Sequence, residues 1–160
     1  MTAPEADVRR LVHALQGAPG EIVRITQDHT DSALRMRPGP DAWSAHEILA
    51  HLRACADVWG DWVHRMLAEN HARIRYFSPR SVMTKEEYTK PPFREVLGIF
   101  AQERAELVRS LEVLGPADWS REGIFTAKTA PKRIPTVYGT VFAMENHESR
   151  HLEQLRRTVG

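Results

Sequence analysis

Apolar residues recur at three- and four-residue steps along most of the chain, and strict apolar–polar alternation is scarce. That pattern predicts helices joined by loops. In residues 4–31, Val8, Leu11, Val12 and Leu15 form one stripe, and Ile22, Val23 and Ile25 resume it beyond Gly17-Ala18-Pro19-Gly20. Proline removes a backbone donor and crowds the preceding turn, so two short helices or one kinked helix are expected here. Arg37-Pro38-Gly39-Pro40-Asp41 reads as a loop. Ser44 followed by Glu47 makes a capping box for the second helix, with Trp43 placed to staple onto its first turn. Ile48, Leu52, Cys55, Trp59, Trp62 and Met66 then mark a seam that carries this helix to about residue 70.

Residues 71–90 show little amphipathic order beyond a short turn expected near Lys85-Glu86-Glu87. Pro91-Pro92 opens a third helix, where proline is tolerated, and Val96, Leu97, Phe100, Leu107, Leu111 and Leu114 form its core face. Gly115-Pro116 ends it, and Ala117-Asp118-Trp119 suits a single turn. Residues 121–135 read as irregular. Thr136 caps a fourth helix whose seam is Val137, Val141, Met144, Glu148, His151 and Leu155, with Thr140, His147 and Gln154 on the flank. Four main helices imply an all-α, four-helix bundle in one domain over residues 1–160. Two connections of roughly 20 residues exceed ordinary bundle loops, which points to crossovers and to a functional opening near them.

Composition narrows the function. Lys plus Arg is 22 against 21 for Asp plus Glu, a net charge of +1 that offers no global attraction for nucleic acid. No apolar run approaches the roughly 20 residues of a membrane span, and no leader-like stretch opens the chain. The single cysteine, Cys55, excludes an internal disulfide and a multi-cysteine zinc finger, and suits a reducing cytoplasm.

Histidine is the informative residue type, with 8 in the chain. His147 and His151 are four apart on one helix, so their side chains face the same way about 6 Å apart along the axis. His51 lies mid-helix on the apolar face of another helix. Three imidazoles can grip one divalent ion and leave coordination positions open to water or substrate, as in catalytic sites. Such an ion lowers the pKa of a bound water and polarises a substrate oxygen or thiol. Each ligand needs an acceptor for its second ring nitrogen; Glu47, Glu148 and Gln154 are the candidates. The alternative is three hydrogen-bonded core histidines.

Trp43-Ser44-Ala45-His46-Glu47-Ile48-Leu49-Ala50-His51-Leu52 resembles the W-S-x-x-E-x-x-x-H-L opening found in the DinB/YfiT-like superfamily. His147-Glu148-Ser149-Arg150-His151-Leu152-Glu153-Gln154 resembles its H-x-x-x-H-x-x-Q ending. The resemblance implies an up-down-down-up four-helix bundle, a homodimer, and a divalent metal (zinc, nickel or iron) on His51, His147 and His151. It also implies thiol-S-transferase-like or hydrolase-like chemistry on a small-molecule substrate, with a low-molecular-weight thiol as a candidate cofactor. The competing reading is a non-catalytic stress-response or dimerisation module with a structural metal or none.

The remaining residues carry two readings each. His46 is expected at the surface, His13, His29 and His64 at the surface or its boundary, and His71 suits the end of a helix. Cys55 reads as a small buried residue or as a neighbour of the metal. Trp59 and Trp62 read as core, interface or cavity wall, and Tyr138 as a polar group near the opening. Arg73, Arg75 and Arg80 in one connection and Lys128, Lys132 and Arg133 in the other read as solvated charge or as a cationic rim steering an anionic substrate.

Overall fold

The computed structural model describes residues 4–130 and 132–160. Residues 1–3, and Pro131 in the stretch expected to be irregular, lie outside the described residues. The elements in chain order are α1 (Glu5–Thr26), α2 (Asp31–Arg35), α3 (Ala45–Ala68), β1 (Ala72–Ile74), α4 (Pro79–Lys85), α5 (Phe93–Glu112), a 3₁₀ turn at Asp118–Ser120, β2 (Gly123–Phe125) and α6 (Val137–Val159). Among the described residues no helix is long and apolar enough to cross a membrane.

Of the two readings of residues 17–20, a single helix is the one observed: α1 runs on with Pro19 inside it. Pro19 has no N–H, which orphans the carbonyl of Leu15 one turn earlier. Arg104 of α5, 1% exposed, donates from Nη1 to that oxygen at 3.3 Å and replaces the missing bond from the side. The predicted caps are present. Ser44 and Glu47 form the capping box of α3, and the Thr136 hydroxyl accepts from the Gly139 N–H at the start of α6. The single turn expected at Ala117-Asp118-Trp119 is a 3₁₀ turn over Asp118–Ser120, and Trp119 within it is buried.

Side-chain pairs give the directions of the four long helices. Arg10 faces Glu145 and Arg156 pairs with Glu21, so α1 and α6 run parallel. Arg94 bonds Thr26 and Arg104 bonds Leu15, so α5 runs against α1. His51 meets His151 while Trp59, two turns further along α3, meets His147, so α3 runs against α6. The bundle is therefore up-down-down-up. Because α3 and α5 point the same way, the chain between them travels the full length of the bundle, which is why that connection is long.

The two connections hold more order than expected. β1 and β2 pair in parallel, Ala72 opposite Gly123 and Ile74 opposite Phe125. Strands of three residues are too short to show alternation in sequence. Gly123 makes room for this pairing: a Cβ there would sit 2.6 Å from the end of the Ile74 side chain and 3.3 Å from the Ala72 carbonyl, so both neighbours would have to shift. The helix expected near residues 85–87 instead spans Pro79–Lys85 and ends there.

The core falls into two apolar clusters. One gathers Leu11, Leu15, Trp62, Met66, Leu111 and Met144; the other gathers Ile22, Ile48, Leu52, Phe93, Phe100 and Leu155. Between these levels lies a polar layer. Arg104 and Glu148, both buried, form a two-pronged ion pair from α5 to α6, and His51, His147 and His151 occupy the adjoining α3–α6 contact.

Candidate metal centre

The capping box holds the first turn of α3 and with it the phase of the helix, so His51 points across to α6 one turn after Glu47. On α6, His147 and His151 stand one turn apart. The Nε2 atom of His147 lies 3.1 Å from Nε2 of His51 and 3.1 Å from Nε2 of His151. The ligand atoms of all three residues lie within 4.8 Å of one another. His51 is 6% exposed, and the other two rings are half-buried.

The rings are neutral at ordinary pH. Burial pushes His51 down to about 3, helped by the charges of His151, His147 and Arg80. Burial, then His151 and Arg150, brings His147 to about 4. Burial also lowers His151, against the opposing hydrogen bond to Gln154. The Nδ1–H of His151 donates to Gln154 Oε1 at 2.8 Å, which leaves a lone pair on its Nε2. A neutral imidazole has one donor and one acceptor. The His147 Nε2 therefore cannot satisfy both neighbours as hydrogen bonds, whichever tautomer it adopts. A cation between the rings resolves that conflict. Nitrogens bound to one tetrahedral zinc at 2.0–2.1 Å stand about 3.4 Å apart, close to the observed separations. The residues present fit a divalent metal.

Two tryptophans wall the cluster. The Trp43 ring lies 5.1 Å from His51 and stacks at 6.3 Å on His151, and Trp59 meets His147 edge-on at 5.1 Å. The sequence pointed to Trp43 only as a staple. It does pack against the Ile48 cluster, but its contact with both rings depends on where α6 lies. Trp62 is core, against Tyr76 and Phe125. Cys55 Sγ lies 3.6 Å from His51 Nε2 and 4.0 Å from Nδ1. The same sulfur lies 4.0 Å from His147 Nε2, so it borders the nitrogens that converge. Burial, then the Glu148 charge, pushes its thiol up, so it stays protonated.

Of the three residues expected to orient the rings, Gln154 alone bonds one. Glu47 is engaged by the Ser44 N–H and by Arg37, and Glu148 by Arg104. Those carboxylates serve the helix cap and the buried ion pair because stronger partners stand nearer. His147 Nδ1 is buried without a partner among the described residues. His46 departs from expectation: it is 1% exposed, and its Nε2–H donates at 2.8 Å to the Pro91 carbonyl, anchoring the start of α5. His29 is half-buried and donates to the Val159 carbonyl, whereas His13, His64 and His71 are exposed. Tyr138 reaches Asp7 and stacks on Phe142 two turns before His147, away from the cluster. The cationic residues divide. Arg80 reaches the cluster, with its guanidinium 5.0 Å from the Trp43 ring centre. Arg73 and Arg75 line a separate hollow with Asp61, Arg65, Phe77 and Thr126, and Arg133 lies over Phe125.

Residues 14–155 match the sequence model of the DinB superfamily. The chain belongs to that superfamily. Its fold is similar to the solved structure of YfiT from Bacillus subtilis, described as a probable metal-dependent hydrolase with an unusual four-helix bundle topology. The TM-score is 0.83 at 16% sequence identity, covering 98% of this chain and 89% of that one. No curated protein matches the chain in sequence. Membership of the DinB superfamily accounts for the two motifs: W-S-x-x-E-x-x-x-H-L contains the α3 cap and His51, and H-x-x-x-H-x-x-Q contains both α6 histidines and Gln154.

Proposed function

We propose that His51, His147 and His151 hold a divalent metal ion, and that this DinB-superfamily protein is a metal-dependent enzyme with hydrolase-like or thiol-S-transferase-like action on a small molecule. The observation that carries the reading is the convergence of three neutral imidazole nitrogens that cannot all hydrogen-bond one another. The description of YfiT supports the hydrolytic branch, and the motif resemblance supports the thiol branch. Zinc, nickel and iron all accept this donor set. When bound, the metal supplies a Lewis acid that polarises a substrate oxygen or activates a thiol. Three protein ligands, not four, suit a catalytic site over a closed structural one. Gln154 holds the His151 tautomer. Trp43 and Trp59 exclude water from two sides and so strengthen the electrostatic interactions between them.

The test is elemental analysis of protein purified without a histidine tag. About one divalent ion per chain is expected. His147→Ala should lose it, and the exposed control His64→Ala should keep it. Wild-type protein without stoichiometric metal, or His147→Ala retaining it, refutes the reading.

A further inference from the structure

Arg80 is one of several arginines with no carboxylate partner among the described residues, and it lies over the Trp43 ring that borders the histidine cluster. Arg24, Arg35, Arg37, Arg65, Arg104 and Arg156 each pair with a carboxylate. Arg80 lies in the first turn of α4, which packs along α3, and its guanidinium carbon lies 5.0 Å from the centre of the Trp43 ring that contacts His51 and His151. Its positive charge is felt at His51, His151 and Cys55. Two of the carboxylates near the histidines are already engaged, Glu47 by Arg37 and Glu148 by Arg104. An exposed guanidinium oriented by an aromatic face keeps its planar fork of donors free.

We propose that Arg80 is the specificity-determining residue of this site and that the substrate bears a carboxylate, which Arg80 grips while the reacting group faces the three histidines. The inference rests on the metal-centre reading above. A carboxylate fits better than a phosphate: its two oxygens match the planar fork of a single guanidinium side by side, whereas a phosphate of nearly two charges draws on several donors. Trp43 fixes the distance between the grip and the histidines by touching both. Arg80 acts on the bound molecule directly, so its removal should alter selectivity without altering the ligand set.

The experiment uses cobalt(II)-loaded protein and two probes that differ only in charge, mercaptoacetate and 2-mercaptoacetamide. Cobalt stoichiometry is measured first for wild type, Arg80→Gln and Arg80→Lys. If wild type takes up no cobalt at the histidines, the metal-centre reading fails and this proposal falls with it; that failure is visible before any probe is added. Each probe is then titrated at low salt, with the visible cobalt spectrum giving Kd. Wild type should bind mercaptoacetate at least about tenfold more tightly than the amide, as one charge-assisted contact provides. Arg80→Gln should lose that preference by weakening mercaptoacetate binding alone, with cobalt content and amide affinity unchanged. Arg80→Lys, with charge but no fork, should fall between. A preference that survives Arg80→Gln, or one absent from wild type, overturns the proposal.

Discussion

At the residue scale, two polar neighbours of the clustered histidines, Gln154 and Glu47, do different work, and mutation separates them. Gln154 accepts from His151 Nδ1 and fixes which nitrogen faces the cluster. Gln154→Leu should therefore weaken metal binding about 10- to 100-fold, measured by competition with a chromophoric chelator. Glu47 belongs to the cap of α3. Glu47→Ala should cost about 1 kcal/mol in denaturant unfolding and leave metal affinity nearly unchanged. If the two variants exchange these phenotypes, the assignment is wrong. From sequence the two were equal candidates, each one turn from a ligand. What distinguishes them is the partner each finds: Arg37 arrives from ten residues upstream to engage Glu47, and nothing competes for Gln154.

At the scale of elements, the Arg104–Glu148 pair joins α5 to α6, and Arg104 also supplies the bond that lets α1 pass through Pro19. Arg104→Met would leave Glu148 buried without its partner and Leu15 without a donor. A loss of about 3–5 kcal/mol is expected, read as the change in urea midpoint with a chelator present. The double variant Arg104→Met/Glu148→Leu should recover most of that loss, because two apolar groups then fill the layer. A single variant as stable as wild type would show that the pair is not buried. The choice between a broken and a continuous α1 could not be made from the sequence for the same reason. Proline's defect is local, and its remedy comes from a residue 85 positions away.

At the scale of the whole molecule, the buried rings couple folding to pH. In the unfolded chain the histidines titrate near 6.5, whereas in the fold His51 lies at about 3 and His147 at about 4. Between those limits the unfolded chain binds more protons. Stability from the neutral rings is thus full above about pH 6.5 and declines as pH falls toward 4. Glu103 opposes this. Burial, then Asp57, raises it from 4.5 to about 7, so its contribution is present below 4.5 and is lost as pH rises through 7. Without metal, Tm should fall from pH 7 to pH 5, and Glu103→Gln should make the fall steeper. A flat or rising profile would mean that the rings are not desolvated. The polar layer between two apolar clusters is the origin of this behaviour, and the bundle tolerates it by pairing each buried charge or leaving it neutral.

Local interactions were readable from the chain alone: the periodicity of the four long helices, the caps at Ser44 and Thr136, and the four-residue step from His147 to His151. These depend on neighbours within a turn or two, and sequence spacing encodes such neighbours directly. The third dimension decided the rest. It brought His51 onto the α6 pair, turned Trp43 from a staple into a wall of the site, buried His46 beneath Pro91, and paired β1 with β2 across the gap between two connections. Each of those outcomes depends on which distant helix packs alongside, and periodicity within one segment carries no information about its partner.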